Sequence, residues 1–120
     1  MRIIVCGGRD FTDKAAVFAA LDRLHGRREV SLLIHGAARG ADLLAEAWAK
    51  EREVSYLGMP AKWKKDGRPA GPQRNERMAN TRPVADMLVA FPGGSGTADM
   101  IAVAEGLGIK VWQPFKSRSR

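Results

Sequence analysis

The sequence predicts an α/β fold: a Rossmann-like, doubly wound parallel sheet of about five strands, with helices on both faces. Three observations carry this. Short apolar runs alternate with helical patterns at intervals of roughly thirty residues, the rhythm of βαβ units. The run Val84–Phe91 is almost continuously apolar, as a strand buried on both sheet faces should be. Three of the strands pass directly into turns of small residues that open a helix. Right-handed crossovers and the strand order 3-2-1-4-5 would then set the first and fourth strands side by side at the topological switch point, where open sheets bind ligands.

The elements follow in order. Arg2–Cys6 is a short β-branched run and reads as the first strand. The loop Gly7-Gly8-Arg9-Asp10-Phe11 follows it. Arg9 is either a phosphate contact or half of an exposed ion pair with Asp10. Phe11 is a candidate base or loop contact. Thr12 or Asp13 caps a helix with Val17, Ala20, Leu21 and Leu24 as its apolar stripe and Gly26 as its stop.

Val30–His35 is the second strand, and Gly36-Ala37-Ala38-Arg39-Gly40-Ala41-Asp42 opens the second helix, with Leu44, Ala47 and Trp48 on its apolar face. Gly36, Gly40 and Ala41 are candidate ligand contacts. His35 reads as a satisfied histidine at the end of a strand. Asp42, in the first helical turn, complements the helix dipole whatever else it does. Val54–Met59 is a weaker third strand.

Pro60–Pro72 is the longest irregular stretch expected, and it mixes basic residues with Trp63. Such a segment can stack a base and attract phosphates, or be a solvated loop anchored by its Trp. A helix is predicted over Gln73–Arg82, bounded by Pro72 and Pro83, with Arg74 and Met78 on one face and Asn75 alongside. An Arg and an Asn facing inward here suit a ligand better than a core.

The fourth strand runs into Pro92-Gly93-Gly94-Ser95-Gly96-Thr97, and Met100, Ile101, Ala104 and Leu107 then recur at helical spacing. Glycine lets the backbone approach a ligand closely. The free N–H groups of the helix start, with the positive end of the dipole behind them, suit a phosphate. Gly108–Trp112 closes the sheet as a fifth strand.

Composition sets limits on these readings. A chain of 120 residues makes one domain, here residues 1–113, with a basic tail at 114–120. No apolar run is long enough for a membrane span and the chain starts with a strand, so a cytoplasmic protein is expected. Cys6 is the only cysteine, which excludes an intramolecular disulfide and a multi-cysteine zinc site. His25 and His35 lack partners at ligand spacing, so neither a metal nor a cofactor is expected. The net charge of +7 suits an anionic partner, with Lys116, Arg118 and Arg120 of the tail supplying part of it.

The stretch Arg74-Asn75-x-x-Met78, followed by Ala85-Asp86-Met87-Leu88-Val89-Ala90-Phe91-Pro92-Gly93-Gly94-Ser95-Gly96-Thr97, resembles the lysine-decarboxylase-like family that includes the LOG phosphoribohydrolases. The Gly-Gly-Arg-Asp-Phe opening, the His-Gly-Ala-Ala-Arg-Gly-Ala-Asp loop and the Pro-Ala-Lys-Trp segment are closer still to the small bacterial and phage SLOG domains, in a superfamily that also contains the DNA-processing protein DprA. The resemblance implies a small-molecule nucleotide as partner, its phosphate on Pro92–Thr97 and its position set by Arg74. It also implies a possible homodimer with Trp48 or Trp112 at the interface.

Three functions follow from it: a sensor or carrier of a nucleoside phosphate, ADP-ribose or NAD derivative; a phosphoribohydrolase; or a single-stranded nucleic-acid binder. The phosphoribohydrolases have a catalytic glutamate where this chain has Met100. Asp99 beside it is turned about 100° around the helix and is expected to point elsewhere. Hydrolysis would then fall to Arg74 with a carboxylate from Asp10 or Asp42.

Overall fold

The computed structural model describes residues 1–115; the tail charges at 116, 118 and 120 lie outside them. The elements are β1 (Arg2–Cys6), α1 (Lys14–Arg27), β2 (Leu32–His35), α2 (Ala41–Glu51), β3 (Ser55–Gly58), α3 (Trp63–Asp66), α4 (Ala70–Ala79), β4 (Met87–Ala90), α5 (Ser95–Gly106) and β5 (Lys110–Trp112). The strands form one sheet in the order β3-β2-β1-β4-β5, parallel throughout. The expected architecture and strand order are both present.

Alternation along the central strands divides the core in two. Ile3, Val5, Leu33 and Val89 face α1 and α2, packing on Val17, Leu21, Ala45 and Trp48. Ile4, Cys6, Ile34 and Leu88 face α4 and α5, packing on Met78, Met100 and Ala104. Both sheet faces are therefore covered, which is why these strands read as unbroken apolar runs. Trp48 has no exposed surface, and its Nε1 donates to Asp22. It is a core residue and unavailable to an interface between copies.

Several boundaries differ from those expected. Helix α1 runs through Gly26 to Arg27 and ends where Arg28 becomes extended. Asp13 is its N-cap, accepting from Ala16 N. Leu107 falls one residue beyond α5 and is exposed.

The largest difference lies between Pro60 and Pro72, where α3 and the first turn of α4 replace the expected loop. Helix α4 begins at Ala70, with Pro72 inside its first turn. Proline is tolerated there because the first N–H groups of a helix have no intrahelical acceptor. At the other end the helix stops at Ala79, capped by Asn80, three residues before the predicted end at Arg82.

Candidate functional site

The parallel strands bring their carboxyl ends to one edge, and three loops meet there. Gly8 N donates to Pro92 O at 2.8 Å, fastening the loop after β1 to the turn after β4. Ala41 N, at the start of α2, donates to Gly8 O at 3.2 Å. Gly40 adopts φ +82°, and a Cβ there would fall 2.5 Å from Arg9 O. Gly40 and Ala41 thus hold the loops together and do not line the cleft.

Between the loops and α4 lies a cleft of about 660 Å³, bordered among others by Gly7, Gly8, Arg9, Asp42, Trp63 and Arg74. Asn75, Gly94, Ser95, Gly96, Thr97 and Asp99 complete the wall used below. A smaller recess of about 300 Å³ adjoins it and shares Arg9, Trp63 and Arg74; Gly36 and Arg39 line it. Pro92 and Gly93 face a separate hollow on the far side of the turn.

The turn after β4 has the features of an anion site. Gly94 is the N-cap of α5 and offers no side-chain cap, and the first intrahelical bond runs from Ala98 N to Gly94 O. The N–H groups of Ser95, Gly96 and Thr97 are left at the helix start without an intrahelical partner, facing the cleft with the dipole behind them. A Cβ on Gly93 would meet Thr97 Oγ1 and come within 2.7 Å of Gly8 N, so glycine is required for packing. A Cβ on Gly94 would meet nothing within 4 Å.

Helix α4 supplies a chain of hydrogen bonds across the cleft. Arg74 donates through Nη1 to Gly36 O and through Nε to Asn75 Oδ1. Asn75 Nδ2 in turn donates to Asp99 Oδ2 at 2.9 Å and to Gly96 O at 3.3 Å. Arg74 Nη2 has no protein acceptor among the described residues. Burial, with help from the nearby positive charges of Arg9 and Arg77, pulls the Arg74 pKa down, and the Asp42 carboxylate opposes that. An arginine remains charged even so.

Asp42 is buried at 5% exposure. Its Oδ2 accepts from Gly36 N at 3.1 Å and Ala38 N at 3.2 Å, while Oδ1 has no hydrogen-bond partner among the described residues. Burial is the main cause that raises its pKa, against the backbone donors and Arg74. Cys6 lies close by on the cleft floor; burial, and then the Asp42 charge, push its thiol up to about 12, so it stays protonated and unreactive.

His35 is fully buried. Its Nδ1 accepts from Ala37 N and its Nε2 meets Glu46 Oε1, both at 2.9 Å. The ring is thus a satisfied structural group that holds Ala37 at φ +58°.

Other expected site residues lie elsewhere. Asp10 projects into solvent and pairs with Arg39 at 3.3 Å rather than with Arg9. It does not border the cleft and is poorly placed as a catalyst. Phe11 stacks on Phe91, ring centroids 5.7 Å apart, and lies away from the cleft; it extends the core instead of meeting a base. Arg9 instead lies over the Trp63 ring, 5.4 Å from its centroid.

Asp99 corrects the opposite expectation. Met100 is fully buried against β4, and the turn of the helix that sends it inward brings Asp99 to the cleft wall beside Asn75. The spacing of Asn75 and Asp99 in sequence gave no sign of this pairing. Only the packing of α4 on α5 creates it.

Among the described residues, no group of three or more His, Cys, Asp or Glu side chains is arranged to hold a metal, and no helix is long and apolar enough to cross a membrane.

Residues 1–65 match the model of the family described as "YspA, cpYpsA-related SLOG family". The chain is also 36% identical over 118 residues to the Gene 61 protein of Mycobacterium phage D29, covering 92% of this chain and 93% of that protein. The chain belongs to the YspA, cpYpsA-related SLOG family. Membership points to a nucleotide-related function. The family match spans the loops after β1 and β2 of this SLOG domain, while the helix start at Ser95 and the Arg74–Asn75 pair lie beyond it. The relative from the phage extends the likeness over nearly the whole SLOG chain.

Proposed function

We propose that the cleft binds a nucleoside phosphate, with its phosphate on the α5 N-terminus and its base against Trp63, and that the protein is a sensor or carrier of that nucleotide. The uncapped start of α5, opening into the cleft opposite the free edge of Arg74, carries this reading. Anions bind such helix ends through N–H groups and dipole together. Trp63 adds an exposed aromatic face at the mouth. The cleft is large enough for a mononucleotide, and the adjoining recess leaves room for the longer ADP-ribose or NAD derivatives.

Thermal melting with AMP, ADP-ribose, NAD and a short single-stranded DNA, at low and high salt, tests this. A ligand at a hundred times its dissociation constant adds about 2.7 kcal/mol, a shift on the order of ten degrees in a domain of this size. A nucleotide shift that persists in salt is expected. A shift with DNA alone that vanishes in salt, as counterion release dictates, would transfer the reading to nucleic acid.

Asp99 favours a second reading, N-glycosidic hydrolysis of a nucleoside 5′-monophosphate. A carboxylate at the cleft wall, oriented by Asn75, is able to take a proton from the water that attacks C1′ as the base departs. This reading predicts release of free base from the nucleotide and its loss in Asp99→Asn. Absence of released base with binding intact leaves the carrier.

A further inference from the structure

We infer that Asp42 is the sugar-recognition residue of the cleft, its Oδ1 hydrogen-bonding a ribose hydroxyl of the bound nucleotide. This rests on the nucleotide reading above and assigns the ligand's orientation within that site.

The fold uses only one of the two carboxylate oxygens. Oδ2 accepts from Gly36 N and Ala38 N, and any side chain with a single well-placed oxygen would do the same. Oδ1 is buried without a protein donor among the described residues. Buried acceptors are almost always paired, and one left unpaired destabilises the protein. Asp99, the second carboxylate of the cleft, accepts from Asn75 through Oδ2 and is only half-buried, so water can reach its other oxygen. The unmet demand therefore falls on Asp42.

The surrounding polarity selects the ligand group. On the Asp42 side four backbone donors are taken: Gly36 N and Ala38 N by Asp42, Ala37 N by His35, and Ala41 N by Gly8 O. There, although the Arg74 guanidinium stands close by, the Asp42 carboxylate disfavours a phosphate at Oδ1 itself. The α5 wall presents N–H groups and attracts it. A nucleotide lying between them points its phosphate at Ser95–Thr97 and its sugar at Asp42.

A hydroxyl fits Oδ1 better than an amino group does. It both donates and accepts, so it satisfies the carboxyl whether ionised or protonated.

Isothermal titration of the full chain decides this, with the four ribonucleoside 5′-monophosphates and their 2′,3′-dideoxy counterparts as probes. The preferred ribonucleotide is expected to bind on the order of ten- to a hundredfold tighter than its dideoxy form, the worth of a hydrogen bond to a charged group. In Asp42→Asn an amide replaces the carboxylate, so the ratio should drop to roughly the few-fold worth of a hydrogen bond between neutral groups, while melting shows a folded protein no less stable than wild type. Equal affinities of the wild type for the two forms would overturn the inference and leave nucleotide binding standing. If the wild type binds none of the eight and neither ADP-ribose nor NAD raises its melting temperature, the nucleotide reading fails and takes this inference with it. The wild-type comparison needs no variant, so a poorly folding Asp42→Asn does not obscure it.

Discussion

Asp42 and Arg74 hold the same residue from opposite ends: Asp42 accepts from Gly36 N, and Arg74 donates to Gly36 O. One residue of α2 and one of α4 thereby fix the loop after β2. Because Arg74 also grips Asn75, which reaches Gly96 and Asp99, the hold extends to the start of α5. The loop that frames the cleft and the helix end that faces it are parts of one hydrogen-bonded unit.

The fit around Gly36 is tight enough to test. A Cβ there would lie 2.6 Å from Arg74 Cζ and 2.9 Å from Asp42 Oδ2. Gly36→Ala should displace the guanidinium, destabilise the fold by about 1–3 kcal/mol, and weaken nucleotide binding by at least about tenfold through loss of a charged hydrogen bond. Melting and titration of the same variant check both effects.

The Asp42 carboxyl makes stability depend on pH in a defined direction. Burial raises its pKa in the folded state above that of the unfolded chain, so the native protein binds the proton more tightly. Its contribution is therefore most favourable at acid pH and declines as pH rises through the raised folded value. Asp42→Asn removes that decline. Denaturant unfolding from pH 4 to pH 8 should show the variant gaining on the wild type as pH rises, then running parallel to it.

Trp63 offers a surface test of base recognition. It is 47% exposed, with Arg9 over its ring. Trp63→Ala should weaken nucleotide binding by about 1–3 kcal/mol, the value of a base–aromatic stack. Unfolding stability should change by less than about 1 kcal/mol, as exposed substitutions do. Titration with a nucleotide and with inorganic phosphate separates the roles, since phosphate alone should bind equally to both proteins.

The sheet was legible in the sequence because both of its faces are buried, which leaves unbroken apolar runs such as Ile3–Cys6 and Leu88–Phe91. The glycine turn after β4 was legible for a local reason, since glycine spacing and the helix start lie within six residues. Other parts depended on contacts between distant segments. Asp10 and Phe11 sit in the right loop, but one turns to solvent and the other to Phe91, a choice made by packing. Asp99 reaches the cleft only because Met100 and Ala104 anchor the opposite face of α5 on the sheet. Pro72 misled the placement of α4, since a proline in the first helical turn looks in sequence like a boundary.

Adjacent glycines separate packing from function most directly. Gly93 has no room for a side chain, whereas Gly94 faces open space at the helix start. Gly94→Asp sets a carboxylate where the phosphate is proposed to bind, at an N-cap position that aspartate itself favours. The measurement is calorimetric titration of wild type and Gly94→Asp with the preferred nucleoside monophosphate, paired with melting of each unliganded protein. The account predicts an unchanged or higher melting temperature and an affinity at least about tenfold lower, from charge repulsion and lost N–H contacts. A folded Gly94→Asp that binds the nucleotide as tightly as wild type would contradict it.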